Sequence, residues 1–275
     1  MLRILNRSLY YILFTCIAIV VFAPILLIFF GSFKNNMEIA STSPYSLPTN
    51  FLNLENYKIA INKGHLLRGV QNSFLLVGVS LIGNALLGTS TAYVLNRFQF
   101  VGKKIIVALF LFAMIIPTYT TEIARFQLIH KLGIYDTIWA PIIIYIGTDI
   151  LQIYMYMQFL EKISEQLDES AMLDGASYYR IYRSIIFPLL LPVTATLGIL
   201  KGVAIMNDIF VQQLYMPSQK LLTIATSLTT YVGQRNSDLA SLCAAITIAL
   251  IPSMLIYIIF YKQIFKGMMD GAVKG

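Results

Sequence analysis

The chain alternates long uncharged runs with short charged segments. Residues 8–33 and 69–96 contain no Asp, Glu, Lys or Arg. A bilayer core takes about 20 apolar residues in a helix, and lipid leaves no other way to satisfy a single segment's backbone than a helix. The pattern predicts six crossings, over residues 10–30, 74–95, 105–119, 137–157, 185–206 and 239–261. Asp149 interrupts the fourth and Lys201 the fifth. The predicted fold class is an all-α membrane protein. One membrane domain is expected over residues 1–275, with an N-terminal helix at 10–30, core helices over about 70–262, a polar loop at 161–184 and a tail at 262–275. The first run is too long for a signal peptide's apolar region and no A-x-A-like site closes it, so it reads as an uncleaved span.

Composition agrees with the pattern. Of 275 residues 57% are hydrophobic and 12% charged, against about 25% charged in soluble domains; mean hydropathy is +0.73. The net charge of +7 carries no basic, aromatic-interleaved stripe of the kind that binds nucleic acid. It reads as topology. With the N-terminus inside, the predicted cytoplasmic segments hold eleven of the 20 Lys and Arg and the longer external segments eight, Lys201 being the last. This excess places both ends in the cytoplasm. The external segment 31–68, with Pro44 and Pro48, is expected to be ordered only in pieces.

Little enzyme chemistry is visible. Cys16 and Cys243 lie in apolar runs and read as small buried hydrophobes. His65 and His130 stand apart, as solvated loop residues with no metal spacing to the cysteines. No G-x-x-x-x-G-K-[ST] phosphate loop occurs; Gly102-Lys103-Lys104 is a basic turn.

The segment 161–184 is more elaborate than a linker needs. It reads as helix, turn, helix. Leu167, Ala171 and Met172 form an apolar face, Gly175 ends the first helix as a left-handed residue, and Ser177 caps a second short helix over 178–183. Pro188 and Pro192 open the next span. Asp149 and Lys201, costly at membrane depth, either line a translocation path or pair with each other or with a partner chain. Asn84 is placed for an interhelical hydrogen bond. Asn207 and Asp208 close the fifth span, where a helix-end cap is one reading.

The string Glu169-Ser170-Ala171-x-x-Asp174-Gly175-Ala176, followed by Ile185, Pro188 and Pro192, resembles the EAA loop of ATP-binding-cassette importer permeases, with Ser170 in place of the usual first Ala and no proline at Ile163-Ser164-Glu165. Further strings are similar to the sugar-importer branch, in its MalG-like form. These are Asn72-Ser73 at the start of the second span, Ala92-Tyr93, Arg97-Phe98-x-Phe100-x-Gly102, Pro117, residues 132–137, and Asn207-Asp208, where Met206 and Ile209 replace the branch's Trp and Phe. Residues 271–275 resemble its ending.

The resemblance implies a type I importer permease fold and a subunit without its own catalysis. ATP and Mg would be held by a partner, and this chain would carry no cofactor or metal. The implied partners are a second permease subunit (MalF-like), two copies of an ATPase, an extracytoplasmic sugar-binding protein and the lipid membrane. Glu169, Ala171, Asp174, Gly175, Ala176, Tyr178, Tyr179 and Pro188 would form the coupling element that docks on the ATPase, and Gly271 and Lys274 would reach toward it. Asn207 and Asp208 would sit near the external gate, with residues 215–220 close to the sugar. A secondary transporter would call for a repeat and relays of ionisable groups, and an intramembrane enzyme for a catalytic cluster; the sequence offers neither.

Overall fold

The computed structural model describes residues 2–232 and 238–272. All regular structure among them is helical: α1 Leu2–Gly31, α2 Asn36–Ser41, α3 Glu55–Lys63, α4 Leu66–Arg97, α5 Lys103–Ala113, α6 Glu122–Lys131, α7 Trp139–Ile146, α8 Ile150–Leu160, α9 Gln166–Leu173, α10 Tyr178–Ile181, α11 Phe187–Asn207, α12 Ile209–Tyr215, α13 Ile224–Ser227 and α14 Leu239–Ala272. The chain divides into two compact units, Met1–Val70 with Thr223–Leu255, and Gln71–Leu222 with Ile256–Gly275.

Four helical stretches are long and apolar enough to cross a membrane: Tyr10–Gly31, Leu66–Arg97, Tyr178–Asn207 and Leu239–Ile259. A fifth is a broken pair, α7 and α8, bent by 47°. The third expected crossing is not one helix. α5 stops after 11 residues, roughly 16 Å at 1.5 Å per residue. Turns lead from it to Pro117 and a 3-10 stretch at Thr118–Thr121, because proline cannot donate within a helix and restricts the residue before it.

In the first unit, α1 is exposed over residues 10–22 and partly covered over 23–30. Cys16, expected to be buried, lies on that exposed surface, and Cys243 is half-buried. The segment after α1 is folded rather than ordered only in pieces. Lys34, 1% exposed, donates its ammonium to Ser46 Oγ, the Ser43 carbonyl and Thr42 Oγ1 at 2.8, 3.2 and 3.3 Å. Buried Asn56 donates to the carbonyls of Ser32 and Lys34. A buried cation persists only with such a full set of acceptors, so these bonds fix the path of the chain past its prolines. Asn35 caps α2, and the Tyr231 hydroxyl donates to the Ala60 carbonyl at 2.8 Å.

The second unit is organised on α4, 32 residues without an internal proline. The helix begins well before residue 74, so Asn72 lies inside it and donates to the carbonyls of Lys220 and Leu222. One core packs α4, α8 and the start of α11 through Ala92, Tyr93, Ile153, Tyr156, Ile186 and Leu190. A second packs α4, α7, the end of α11 and α12 through Leu76, Ile142, Tyr145, Ile205 and Tyr215. Gly83 and Gly88 let α4 approach closely: a Cβ on Gly83 would lie 2.7 Å from Ile146, and one on Gly88 3.0 Å from Thr148 and Tyr156. His130 belongs to α6 instead of a loop and stacks on Tyr135 with ring centroids 4.0 Å apart.

The fifth expected span also differs from its sequence reading. α10 does not stop at residue 183 as a separate helix. It continues through a π turn at Tyr182–Ile186, where the Phe187 N–H reaches back five residues to the Tyr182 carbonyl, and runs into α11. Pro188 explains the irregularity, since it has no N–H for the preceding turn and its ring crowds the carbonyl four residues back.

Candidate functional site: a hairpin beside the end of α4

Residues 161–184 form a hairpin whose two arms are held differently. α9 ends at Leu173 with a paired cap: the Ala176 N–H donates to the Ala171 carbonyl at 2.9 Å and the Gly175 N–H to the Met172 carbonyl at 3.0 Å. This is the closing pattern that requires a left-handed residue after the helix, and Gly175 supplies it at φ +77°. Ser177 then caps α10 by accepting from the Arg180 N–H. Helix, glycine turn and capped helix therefore stand where local signals place them.

The tip faces outward. Glu169, Asp174, Gly175, Tyr178 and Tyr179 are exposed, and Ala171 and Ala176 are half-buried, packed against the core around Tyr93 and Ile181. Leu173 at the tip is 90% exposed. The expected apolar face is incomplete, for Leu167 and Met172 are exposed. The residue α9 buries is a charged one, Asp168.

That burial is made possible by Arg97, the last residue of α4. Its Nη2 donates to the Ile163 carbonyl at 2.7 Å. Its Nε lies 2.9 Å from Asp168 Oδ2 and its Nη1 3.4 Å from Glu165 Oε1. The Arg97 and Asp168 side chains are 7% and 8% exposed. Burial pushes the Asp168 carboxyl above its ordinary pKa, and the neighbouring guanidinium only partly opposes the rise. A cavity of about 210 Å³ lies here, lined by Tyr93, Arg97, Phe98, Glu165, Asp168, Glu169, Met172 and Tyr178. On the other arm the contacts are rings. Phe98 meets Tyr178 edge-on at 5.0 Å, Tyr93 packs on Tyr182 at 5.7 Å, and the Tyr182 hydroxyl pairs with Thr89 Oγ1 at 2.7 Å.

A second polar cluster lies farther back along α4. The expected fourth span breaks at Gly147, so Asp149 is not inside a helix but immediately precedes α8, in an extended conformation. Glycine, threonine and aspartate in succession are poor helix formers. Asn84 clamps the break, donating to the Gly147 carbonyl at 3.0 Å and to those of Tyr145 and Ile146 at 3.4 Å, and accepting from Gln152 at 2.5 Å. Asp149 is exposed and forms an ion pair with Lys201 at 3.2 Å. Asp208 caps α12 through the Val211 N–H and accepts the Tyr145 hydroxyl at 2.9 Å, whereas exposed Asn207 bonds back to the Val203 carbonyl. Pro188 is exposed in the first turn of α11. Beyond Asp208, Tyr215 is buried and donates to Glu122 at 2.8 Å, and Ser218 bonds to Asp136 through its N–H and hydroxyl. An apolar groove of about 490 Å³ runs between α4 and α11, lined among others by Leu81, Ile82, Leu86, Phe187, Gly198 and Met206. Gly271 lies in the last turn of α14, and Lys274 falls outside the described residues. Sequence reasoning missed Arg97, Tyr93, Asp168, Tyr145 and Gln152. The charge pattern offered one signal for Arg97: it opens a basic turn but lies at the end of a charge-free run.

A model of the family described as binding-protein-dependent transport system inner membrane component matches residues 84–270. The chain belongs to that family: it is a multi-pass, membrane-embedded permease subunit of an importer that works with a binding protein. It is 28% identical over 271 residues, 98% of both chains, to a putative ABC transporter permease protein, ORF2, of Caldicellulosiruptor sp. (strain Rt8B.4). It is 29% identical over 270 residues, 96% of this chain and 94% of the relative, to the galactooligosaccharides transport system permease protein GanQ of Bacillus subtilis (strain 168). Its fold matches, with a TM-score of 0.82 and 19% identity over 94% of this chain and 96% of the other, a chain in the crystal structure of a bacterial ABC transporter involved in the import of the acidic polysaccharide alginate.

Proposed function

We propose that this chain is the permease subunit of an ATP-driven importer of sugars or oligosaccharides, forming half of the translocation path and taking its drive from a separate ATPase through the hairpin 161–184. The observation that carries this reading is the hairpin itself. A glycine-turned, doubly capped knuckle presents Glu169, Asp174, Tyr178 and Tyr179 on its exposed surface, Tyr178 with one edge against Phe98. Exposed aromatics beside a carboxylate suit a protein interface, and a hairpin biased by a partner's nucleotide state is a workable coupling element. Relatives named for galactooligosaccharides and for starch degradation products support a carbohydrate cargo.

In this reading the chain crosses six times, α5 and the turns after it making the third crossing, and both termini and the hairpin face the cytoplasm. Glu169 pairs with a basic group of the ATPase, Ala171 and Ala176 keep the contact close, and Gly271 and Lys274 extend toward the same partner. ATP and Mg are handled there, and this chain supplies no catalytic group. A MalF-like second permease, two ATPase copies and an extracytoplasmic sugar-binding protein complete the assembly. An exposed ion pair at membrane depth must face water or a partner and not lipid, so Asp149 and Lys201 line the path, with Asn207 and Asp208 toward its outer end.

Gly175→Pro and Glu169→Lys are expected to abolish uptake while the chain still inserts and assembles. Uptake that survives both changes overturns the coupling assignment. Lys201→Met is expected to weaken transport, and unchanged affinity and rate would remove Lys201 from the path.

A further inference from the structure

We propose that Arg97 is the positioning residue that makes α4 follow the hairpin, so that displacement of the knuckle reaches the broken span α7–α8 as well as α11. The inference rests on the hairpin being the coupling element and adds the route beyond it.

The hairpin's two ends differ in what they are joined to. Its trailing arm is the beginning of a continuous helical run, Tyr178–Asn207, so a push on the knuckle enters α11 through the backbone. Its leading arm is joined to α8 only by turns at residues 161–165, which transmit little. Beside the apolar packing of Ile163 and Ala171 on the core around Tyr93, what binds that arm to a long element is Arg97. The Ile163 carbonyl and the Glu165 carboxylate accept from it and the Asp168 carboxylate forms an ion pair with it, all within six residues, so that the guanidinium meets them as one rigid fork. A Lys ammonium is a point charge and cannot reproduce that fork.

Burial decides how firmly this contact holds. An exposed pair contributes little. A buried pair broken on one side leaves an uncompensated charge, and that strongly opposes separation. With both side chains nine-tenths covered, the leading arm and α4 separate only at that cost. A residue that served topology alone would hold its charge in water, whereas Arg97 is desolvated against a carbonyl and two carboxylates.

α4 is also the element that holds the break. Asn84 binds the carbonyls at Gly147 and the Gln152 side chain, and Gly83 and Gly88 admit Ile146 and Thr148 to close contact. A shift of α4 is therefore delivered where Asp149 stands, 52 residues from its partner Lys201 on α11. The two routes converge on that ion pair, one through each of its members.

The test uses the assembled complex with the ATPase that co-purifies with the chain. Spin labels are placed at two exposed positions, by Leu173→Cys on the knuckle and Val94→Cys on α4, with Cys16 and Cys243 replaced by Ser. Distances are compared without nucleotide and after trapping with Mg–ADP–vanadate. With Arg97 present the two labels are expected to move together. With Arg97→Met the distance is expected to change between the two states by more than about 2 Å, beyond the small helix shifts common at interfaces. Arg97→Lys should give an intermediate change, and Arg97→Asp combined with Asp168→Arg should restore part of the joint motion. A purely structural role would broaden the distances equally in both states. State-independent distances in Arg97→Met overturn the proposal. Should Arg97→Met not assemble, Asp168→Asn, of equal size, is measured in its place, and state-independent distances there overturn it equally. Co-purification with no ATPase defeats the permease reading itself. Loss of uptake in Gly175→Pro together with state-independent distances in Arg97→Met defeats only the role of Arg97.

Discussion

The leading and trailing arms of the hairpin both pack beside the end of α4, yet they are secured by opposite means. Apart from the packing of Ile163 and Ala171, the leading arm is held by charge: one guanidinium against two carboxylates and a carbonyl. The trailing arm is held by ring packing, one hydroxyl pair and helical continuity into α11. Ionic contacts concentrate their strength in one residue, and removing that residue leaves a penalty behind. Ring contacts spread theirs over Tyr93, Phe98, Tyr178 and Tyr182, so no single loss is decisive.

The contrast can be tested by breaking each side in turn. The largest effect is expected from Arg97→Met, which leaves Asp168 buried without its cation and should cost the leading arm about 3–5 kcal/mol. Hydrogen exchange should show protection lost over residues 163–173 and kept over 178–187; equal loss in both arms would mean that they are not separately held. At the joint, Gly175→Ala forces a Cβ into the left-handed region, at about 1–2 kcal/mol, and both arms should loosen by similar amounts. On the trailing arm, Tyr182→Phe removes the hydroxyl paired with Thr89. It should cost about 1 kcal/mol, with Thr89→Val equivalent and the two together no worse than either.

The smallest effect is a pH dependence. Burial raises the folded-state pKa of Asp168, so the folded hairpin takes up a proton before the unfolded chain does. The stability contributed is fully present below the unfolded carboxyl's pKa, about 3.9, and is lost as pH rises through the elevated folded value. Relative to Asp168→Asn, the leading arm should therefore gain protection on acidification toward that value. A difference of opposite sign would mean that the guanidinium outweighs burial.

What could be read from the sequence follows from the range of each interaction. The glycine turn and the Ser177 cap were legible because each is decided within three or four residues. So were the apolar spans α1, α4 and α14, whose uncharged runs need no partner to be recognised. The break at Gly147 was not, because it sits within a run apolar enough to look continuous and is stabilised by Asn84, 63 residues earlier in the chain. The end of α5 was hidden for a related reason: an apolar count sees α5 and the turns up to Pro117 as one stretch. Arg97 was legible as a charge, but not as the partner of Glu165, 68 residues away. The burial of Asp168 was hidden by its acidic neighbours, among which it looked like part of a solvated face.

The π turn at Tyr182–Ile186 has a consequence for how such chains vary. A π turn holds one residue more than the α-helical turn it replaces, and each residue of an α-helix advances by about 100° around its axis. Deleting one residue from 182–186 would let the helix close regularly with the segments on either side keeping nearly the same bearing, because the wide turn absorbs the surplus residue. The same deletion in the regular part of α11 would rotate everything before it by roughly a quarter of a circle and re-aim the knuckle with its own caps untouched. The wide turn is thus the place where this run can gain or lose a residue without turning the projection away from its partner.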